Sequence, residues 1–247
     1  MIKQYGLIGY PLSHSFSKKY FTHKFKRENI VGCTYELFEI DRIDLVESVF
    51  KIDNIQGFNV TIPYKHDIMQ YMDDFDHSAQ KVGAVNVVKI HANGKKTGFN
   101  SDYYGFRTSL EKWLPADKNM KALILGVGGA AKAVIAVLQD LDIPFIKISR
   151  DETKGDLTYQ NLWSKNTVLL QHHLIINTTP LGMSPHQDAK PNINYKKLTD
   201  QHHLYDLIYN PAETEFMKYG QASGAKIKNG LEMLELQAEK SWEIWNS

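Results

Sequence analysis

Apolar and polar positions along the first hundred residues alternate between two periods. Tyr5-Gly-Leu-Ile-Gly9 reads as a short strand that ends before Pro11. Ser13 to Asn29 carries Phe16, Tyr20, Phe21 and Phe25 near helical spacing, with serines placed to cap its start. Cys33 to Ile40 alternates as a strand, and Leu45, Val46, Val49 and Phe50 line a helix face. Gly57 to Ile62 is a further strand, stopped by Pro63. A helix is expected from Tyr64, then a strand over Ala84 to Ile90 that ends near the Asn93-Gly94 turn. After Trp113-Leu-Pro-Ala-Asp117 the pattern restarts. Strands are expected at Lys121 to Leu125, Pro144 to Ser149, Leu174 to Asn177 and Leu204 to Asp206. Helices are expected at Gly128 to Leu141, Glu213 to Ala222 and Leu231 to Trp245. Strands that alternate with helices imply a largely parallel sheet. An α/β chain of two lobes is expected, residues 1–103 and 104–229, with the last helix, 230–247, packing back on the first.

Composition narrows the classes. Of 247 residues, 43% are hydrophobic and 23% charged, values that exclude wholesale disorder, collagen and coiled coil. Lys and Arg number 29 against 28 Asp and Glu, so no broad field steers the chain onto nucleic acid, and no such partner is expected. Cys33 stands alone, which excludes an intrachain disulfide and a Cys-rich metal site. Met1 to Gly6 lack the apolar run of a signal peptide. Ala122 to Leu138 is too short and too broken by glycines and Lys132 to span a bilayer. The expectation is a cytoplasmic protein with no membrane partner.

Gly126-Val127-Gly128-Gly129-Ala130-Ala131 fits G-x-G-x-x-[GA] between an apolar strand and a helix. In such a loop the first glycine allows the tight turn, the second admits a pyrophosphate against the backbone, and the small third residue lets helix pack on strand. Helix N–H groups then hold the phosphates. A glycine turn that binds nothing has the same pattern, so the end of the next strand matters. It reads Ser149-Arg150-Asp151-Glu-Thr-Lys154. Arg150 and Lys154 are placed to meet the 2′-phosphate of NADP, whereas Asp151 and Glu152 argue for NAD.

Three polar clusters fall near strand ends in the first half: Ser13-His-Ser15-Phe-Ser17, Asn59-Val-Thr61-Ile-Pro-Tyr-Lys65, and Asn100-Ser-Asp102, with Asn86 between the last two. Singly, each has an ordinary explanation as helix caps, strand residues or a solvated lysine, and Asp102 itself is a candidate cap for Tyr103 onward. Together they supply hydroxyls, amides, one ammonium and one carboxylate, a set suited to a small polyhydroxylated acid.

These motifs resemble the shikimate dehydrogenase family over nearly the whole chain. Gly9-Tyr-Pro-Leu-Ser-His-Ser15-Phe-Ser17 is similar to the family's opening G-x-P-[IL]-x-H-S-x-S, and Gly57-Phe-Asn59-Val-Thr61-Ile-Pro-Tyr-Lys65 to its central G-x-N-V-T-x-P-x-K. Gly83-Ala-Val-Asn86, Asn100-Ser-Asp102, the glycine loop, Asn177-Thr-Thr-Pro-Leu-Gly182-Met183, Tyr205-Asp-Leu-Ile-Tyr209 and Asn229-Gly230-Leu-Glu-Met-Leu follow in the family's order. The resemblance implies an N-terminal substrate-binding domain with a mainly parallel sheet and a C-terminal Rossmann-type domain. It implies reversible NADP-dependent oxidation of shikimate to 3-dehydroshikimate, in chorismate and aromatic amino acid biosynthesis. Lys65 and Asp102 would be the catalytic pair. Ser15, Ser17, Thr61, Asn86, Tyr209 and Gln237 would contact the acid, with Asn59 supporting the pocket. Gly126 to Ala130, Ser149, Arg150, Lys154, Ile208 and Gly230 would line the dinucleotide.

Departures leave alternatives open. The usual Asn-Arg-Thr is Ser149-Arg150-Asp151 here, which keeps NAD use in play. The usual Asn-Thr-Asp-Gly becomes Asn100-Ser-Asp102-Tyr103. A quinate/shikimate or aminoshikimate dehydrogenase shares the scaffold, and a non-catalytic sensor of the acid or dinucleotide is the alternative of another class. Retention of both Lys65 and Asp102 argues against the sensor. Monomer and homodimer fit the sequence equally. His172-His173 and His202-His203 mimic metal pairs, but adjacent residues in extended chain face opposite ways, so solvated loop histidines are expected and no metal. Trp242 and Trp245 are expected in a core.

Overall fold

A computed structural model describes residues 2–13, 15–115 and 120–247. His14 of the opening motif, and Ala116 and Asp117 just before the pattern restarts, lie outside the described residues. The chain divides into two compact units, one of residues up to Gly105 with Leu236–Ser247, the other Phe106–Glu235.

The first unit contains β1 (Lys3–Gly9), α1 (Phe16–Arg27), β2 (Cys33–Glu39), α2 (Val46–Phe50), β3 (Ile55–Val60), β4 (Asp74–Phe75), α3 (His77–Val82), β5 (Val87–Ile90), β6 (Lys96–Phe99) and the start of α4 (Ser101–Trp113). Its sheet runs β2-β1-β3-β5-β6-β4. β1 pairs in parallel with β2 and β3, while β5 is antiparallel to both β3 and β6. Strand alternation sorts the two faces. Ile8, Phe58, Val60 and Val88 pack with Val46, Val49 and Ile68 on one side. Tyr5, Leu7, Tyr35 and Val87 pack on the other with Phe21 and Phe25, and with Ala238, Ile244 and Trp245 from the C-terminal helix. Trp242 packs against this second face, so both tryptophans serve a core, and the Trp245 indole donates to the Val88 carbonyl at 3.0 Å.

Two local expectations are corrected. No α-helix starts at Tyr64; a short 3-10 helix forms over Asp67–Tyr71. The Lys65 carbonyl accepts from the Val85 N–H at 2.7 Å, so it is committed to another segment and closes no helical turn. Asp102 is not the cap of α4 either: the Asn100 carboxamide accepts from the Tyr103 N–H at 3.1 Å, and Asp102 lies inside the first turn.

The second unit continues α4 and adds β7 (Ala122–Leu125), α5 (Gly129–Asp140), β8 (Phe145–Ser149), β9 (Leu157–Thr158), α6 (Tyr159–Ser164), α7 (Asn166–Gln171), β10 (Leu174–Asn177), β11 (His203–Asp206), α8 (Glu215–Ala222), β12 (Lys226–Lys228) and the start of α9 (Leu231–Asn246). Every pairing is parallel, in the order β12-β11-β10-β7-β8-β9. Counted within the unit this is 3-2-1-4-5-6, the doubly wound Rossmann order, whose switch point falls between β7 and β10. Among the described residues no helix is long and apolar enough to cross a membrane.

The paired histidines depart from expectation. His172, His202 and His203 are buried rather than solvated. The Thr199 N–H donates to Nδ1 of His202 at 3.0 Å, which leaves its Nε2–H to donate to the Leu169 carbonyl at 3.2 Å. Burial lowers the pKa of all three, and they serve as neutral core residues. Among the described residues no group of three or more His, Cys, Asp or Glu is placed to hold a metal.

Candidate active site

Strand direction gathers the polar residues of the first unit. Asn59 and Thr61 stand where β3 ends. Because β5 is antiparallel to β3, Asn86, which immediately precedes β5, lies at that same end, with Asn59 opposite Val87. β6 runs back again, so Asn100 to Asp102 arrive there too, with Val87 opposite Phe99. The loop after β1 joins them, its Tyr10 N–H donating to the Ile62 carbonyl at 3.1 Å.

Lys65 and Asp102 meet in this cluster, Nζ to Oδ2 at 2.6 Å. The Lys65 side chain is 34% exposed and that of Asp102 16%, so the pair is sheltered yet reachable. Asn86 is almost fully buried, and its Oδ1 accepts from the Ser101 N–H at 2.6 Å. Its Nδ2 donates to Gln237 Oε1 at 3.4 Å, so α9 brings Gln237 to Asn86 across 151 positions of sequence. Asn59 accepts from the Tyr35 hydroxyl at 2.8 Å and donates to the Asn86 carbonyl at 3.3 Å and to Ser241 Oγ at 2.9 Å. Ser15 caps α1, its Oγ accepting from the Lys18 N–H at 3.4 Å, and Ser17 hydrogen-bonds to the Tyr35 phenol. Ser101 lies inside the Asn100-Ser-Asp102 cluster without a role of its own, and Tyr35 and Ser241 lie outside every motif. Tyr35 is one apolar beat of an alternating strand and Ser241 one polar position on a helix, and neither carries a motif.

In the second unit the glycine loop stands at the switch point. Gly126 takes φ +101, a left-handed conformation that favours glycine, and a Cβ there would meet Thr179 Cγ2 at 2.8 Å. Gly128 is the N-cap of α5, and Gly128 to Ala130 are exposed. Cβ atoms built on Gly128 and Gly129 meet nothing within 4 Å, so open space adjoins the first N–H groups of the helix. Thr178 fastens the loop from β10, its hydroxyl donating to the Leu125 carbonyl at 2.9 Å. That combination of open backbone, helix start and glycine turn fits a pyrophosphate.

Ser149 ends β8 beside the loop, the Gly126 N–H donating to the Ile148 carbonyl at 2.9 Å. Arg150 and Lys154 follow and are exposed. The Asp151 carboxylate turns into its own loop. It accepts from the Thr153 N–H at 2.9 Å and hydroxyl at 2.7 Å and pairs with Lys154 at 3.3 Å, contacts that hold it below the usual carboxylate range. Ile208 and Gly230 are neighbours, N–H of Gly230 to the Ile208 carbonyl at 3.0 Å, and a Cβ on Gly230 would lie 2.1 Å from the Leu207 carbonyl oxygen. Tyr209 is half-buried in this unit, with burial raising its pKa.

Residues 7–88 match the family profile described as the shikimate dehydrogenase substrate binding domain. The chain is 42% identical over 254 residues to the shikimate dehydrogenase (NADP(+)) of Clostridium beijerinckii, covering 98% of this chain and 91% of that one. The chain belongs to the shikimate dehydrogenase family. Solved structures agree. A chorismate mutase/shikimate 5-dehydrogenase fusion protein from Clostridium acetobutylicum superposes with a TM-score of 0.88 at 39% identity, over 100% of this chain and 92% of that one. The shikimate 5-dehydrogenase of Listeria monocytogenes, solved with shikimate and NAD, gives 0.87 at 26% identity over 99% and 92%. Within a shikimate dehydrogenase fold, the first unit carries the polar cluster and the second carries the glycine loop.

Proposed function

We propose that this protein is an NADP-linked dehydrogenase that interconverts shikimate and 3-dehydroshikimate. The observation that carries this reading is the 2.6 Å Lys65–Asp102 contact, set among Thr61, Asn86 and Gln237 in a chain that also holds an open glycine loop on a Rossmann sheet. Oxidation of a secondary alcohol removes a hydride from carbon and a proton from oxygen. The nicotinamide, when bound, takes or returns the hydride. Lys65 handles the proton at the substrate oxygen, and in the reducing direction its ammonium polarises the ketone and donates. Asp102 holds the Lys65 nitrogen in place and orients the hydroxyl.

Ser15, Ser17, Thr61, Asn86, Gln237 and Tyr209 bind the carboxylate and ring hydroxyls, and Asn59 supports them from behind. Gly126 to Ala130 hold the pyrophosphate by backbone N–H groups. Ser149, Arg150 and Lys154 take the ribose phosphate, and Ile208 and Gly230 line the remainder of the dinucleotide. NADP is favoured because Arg150 offers a planar fork to a phosphate while the Asp151 carboxylate is engaged by Thr153 and Lys154.

The test is direct. Purified protein is mixed with shikimate and NADP, then with NAD, and reduced nicotinamide is followed by absorbance. Turnover with shikimate, faster with NADP at equal concentration, is expected. No turnover with shikimate or a close analogue under either cofactor overturns the reading.

A further inference from the structure

Tyr35 sits on the middle of β2, in the face of the sheet covered by α1 and α9. Its ring stacks on Phe21 at 4.5 Å between centroids and 14° between planes, so its direction is fixed by packing. Burial drives the phenol pKa well above its usual range, partly offset by the hydrogen bond with Ser17, and the hydroxyl keeps its proton. That proton goes to Asn59 Oδ1 at 2.8 Å.

The carboxamide of Asn59 has two possible orientations, and its neighbours choose between them. The Asn86 carbonyl accepts only, so it requires Nδ2 on its side. Ser241 donates its own proton to the Gln237 carbonyl at 2.8 Å and therefore also requires a donor from Asn59. Oδ1 is left facing Tyr35, whose hydroxyl is the donor that satisfies it. One amide thus ties together the strand leading into Thr61 and Lys65, the backbone of Asn86, and the turn of α9 that carries Gln237.

We propose that Tyr35 is a positioning residue for substrate binding, acting through Asn59 to set Asn86 and Gln237 in the register the acid requires. The proposal rests on the reading of Asn86 and Gln237 as shikimate contacts. It assigns Tyr35 no part in proton transfer, because its links lead to binding residues rather than to Lys65 or Asp102.

Tyr35→Phe keeps the ring stack and removes only the hydroxyl. The KM for shikimate is expected to rise about five- to thirty-fold, the scale of one lost buried hydrogen bond with its partner left unsatisfied. Turnover should stay within about threefold and the KM for NADP should not move, since a group used equally in ground and transition states affects binding alone. In an Asn59→Ala background, adding Tyr35→Phe should cost less than about twofold more, because the amide it acts through is gone. Asn59→Asp, which keeps the shape but sets a carboxylate oxygen against the Asn86 carbonyl, should raise the shikimate KM without Tyr35 being touched. An unchanged shikimate KM in Tyr35→Phe overturns the proposal. So does a fall in turnover at constant KM, a parallel loss for both substrates, or multiplicative losses in the double variant. Gln237→Ala separates the two levels. A raised shikimate KM there with a normal Tyr35→Phe enzyme sinks the Tyr35 role alone, whereas a normal Gln237→Ala enzyme sinks the site reading beneath it.

Discussion

Lys65 owes its place to backbone rather than to its own side chain. Its carbonyl is held by the Val85 N–H at 2.7 Å, and the Asn86 carbonyl next along receives the Val60 N–H at 2.8 Å. The long side chain therefore leaves from a pinned root, and Asp102 at 2.6 Å fixes its tip. A lysine so held suits chemistry more than simple anchoring. Lys65→Met keeps the aliphatic stem and removes charge and proton. Steady-state kinetics should show turnover down about 10²–10⁴-fold with a much smaller change in shikimate KM. A near-normal turnover with a greatly raised KM would make Lys65 an anchor instead. Arg150 carries a second expectation at this scale. Arg150→Ala should weaken NADP by about tenfold or more and NAD by less than about twofold, measured as dissociation constants, because only NADP bears the phosphate its fork would pair. Equal losses for both cofactors would show that Arg150 does not read that phosphate.

At the scale of elements, the C-terminal end of β11 holds a buried carboxylate between three segments. Asp206 accepts from Asn177 Nδ2 on β10 at 3.0 Å, from the Ile208 N–H at 3.1 Å and from the Thr214 hydroxyl at the cap of α8 at 2.6 Å. Burial pushes its pKa up from 3.8 to about 6 despite those three donors. Between about pH 4 and 6 the native state thus binds a proton the unfolded state has released, and stability falls as pH rises through that window. The difference of about two units corresponds to roughly 3 kcal/mol. Asp206→Asn keeps the shape and does not ionise. In chemical denaturation at pH 4 and pH 7, the variant should gain stability relative to wild type at the higher pH by roughly that amount. Comparing the two proteins cancels the buried histidines, which pull the other way as pH falls below their usual 6.5. A gap that does not change with pH would show that Asp206 is ionised throughout.

The elements also mark what periodicity can and cannot reveal. β7 and β10 are legible as apolar runs and α5 as a wide apolar helix face, as buried parallel strands and their crossovers must be, whereas β8 and β11 are short and carry Lys147 and the polar ends His203 and Asp206. The polar clusters that hold Lys65 and Asp102 are legible near strand ends, but their roles are implied only by the family resemblance. β6, with Lys-Thr-Gly-Phe, has too little apolar content to register, and α6 and α7 are six residues each, under two turns. α4 is legible only as a helix opening near Tyr103, yet Tyr103, Phe106 and Leu110 recur along it at helical spacing and are all buried. The Tyr35–Asn59–Ser241 contact had no signature at all, since it joins β2, β3 and α9 across as many as 182 positions and only the folded chain brings them together.

Across the whole molecule, the two units each own a core, and the boundary between them falls inside helices. α9 is the clearer case. Its first turn, Leu231 to Glu235, belongs with the second unit and follows Gly230, whereas Leu236 onward belongs with the first, where Gln237 meets Asn86 and Ala238 and Trp245 enter that unit's core. A ligand that binds only the native state stabilises it by RT ln(1 + [L]/Kd), about 2.7 kcal/mol at a hundredfold excess, and amide exchange slows where local opening must release the ligand. NADP alone should therefore slow exchange over Gly126 to Ala130, Ser149 to Lys154 and the first turn of α9. Shikimate alone should slow it over Thr61 to Lys65, the Asn86 segment and the later turns of α9 around Gln237. Peptide-resolved hydrogen exchange with each ligand in turn reads both patterns from the same helix. If α9 instead gains protection uniformly along its length with either ligand, it opens as one block, and the division of labour between the two units drawn from their separate cores is wrong.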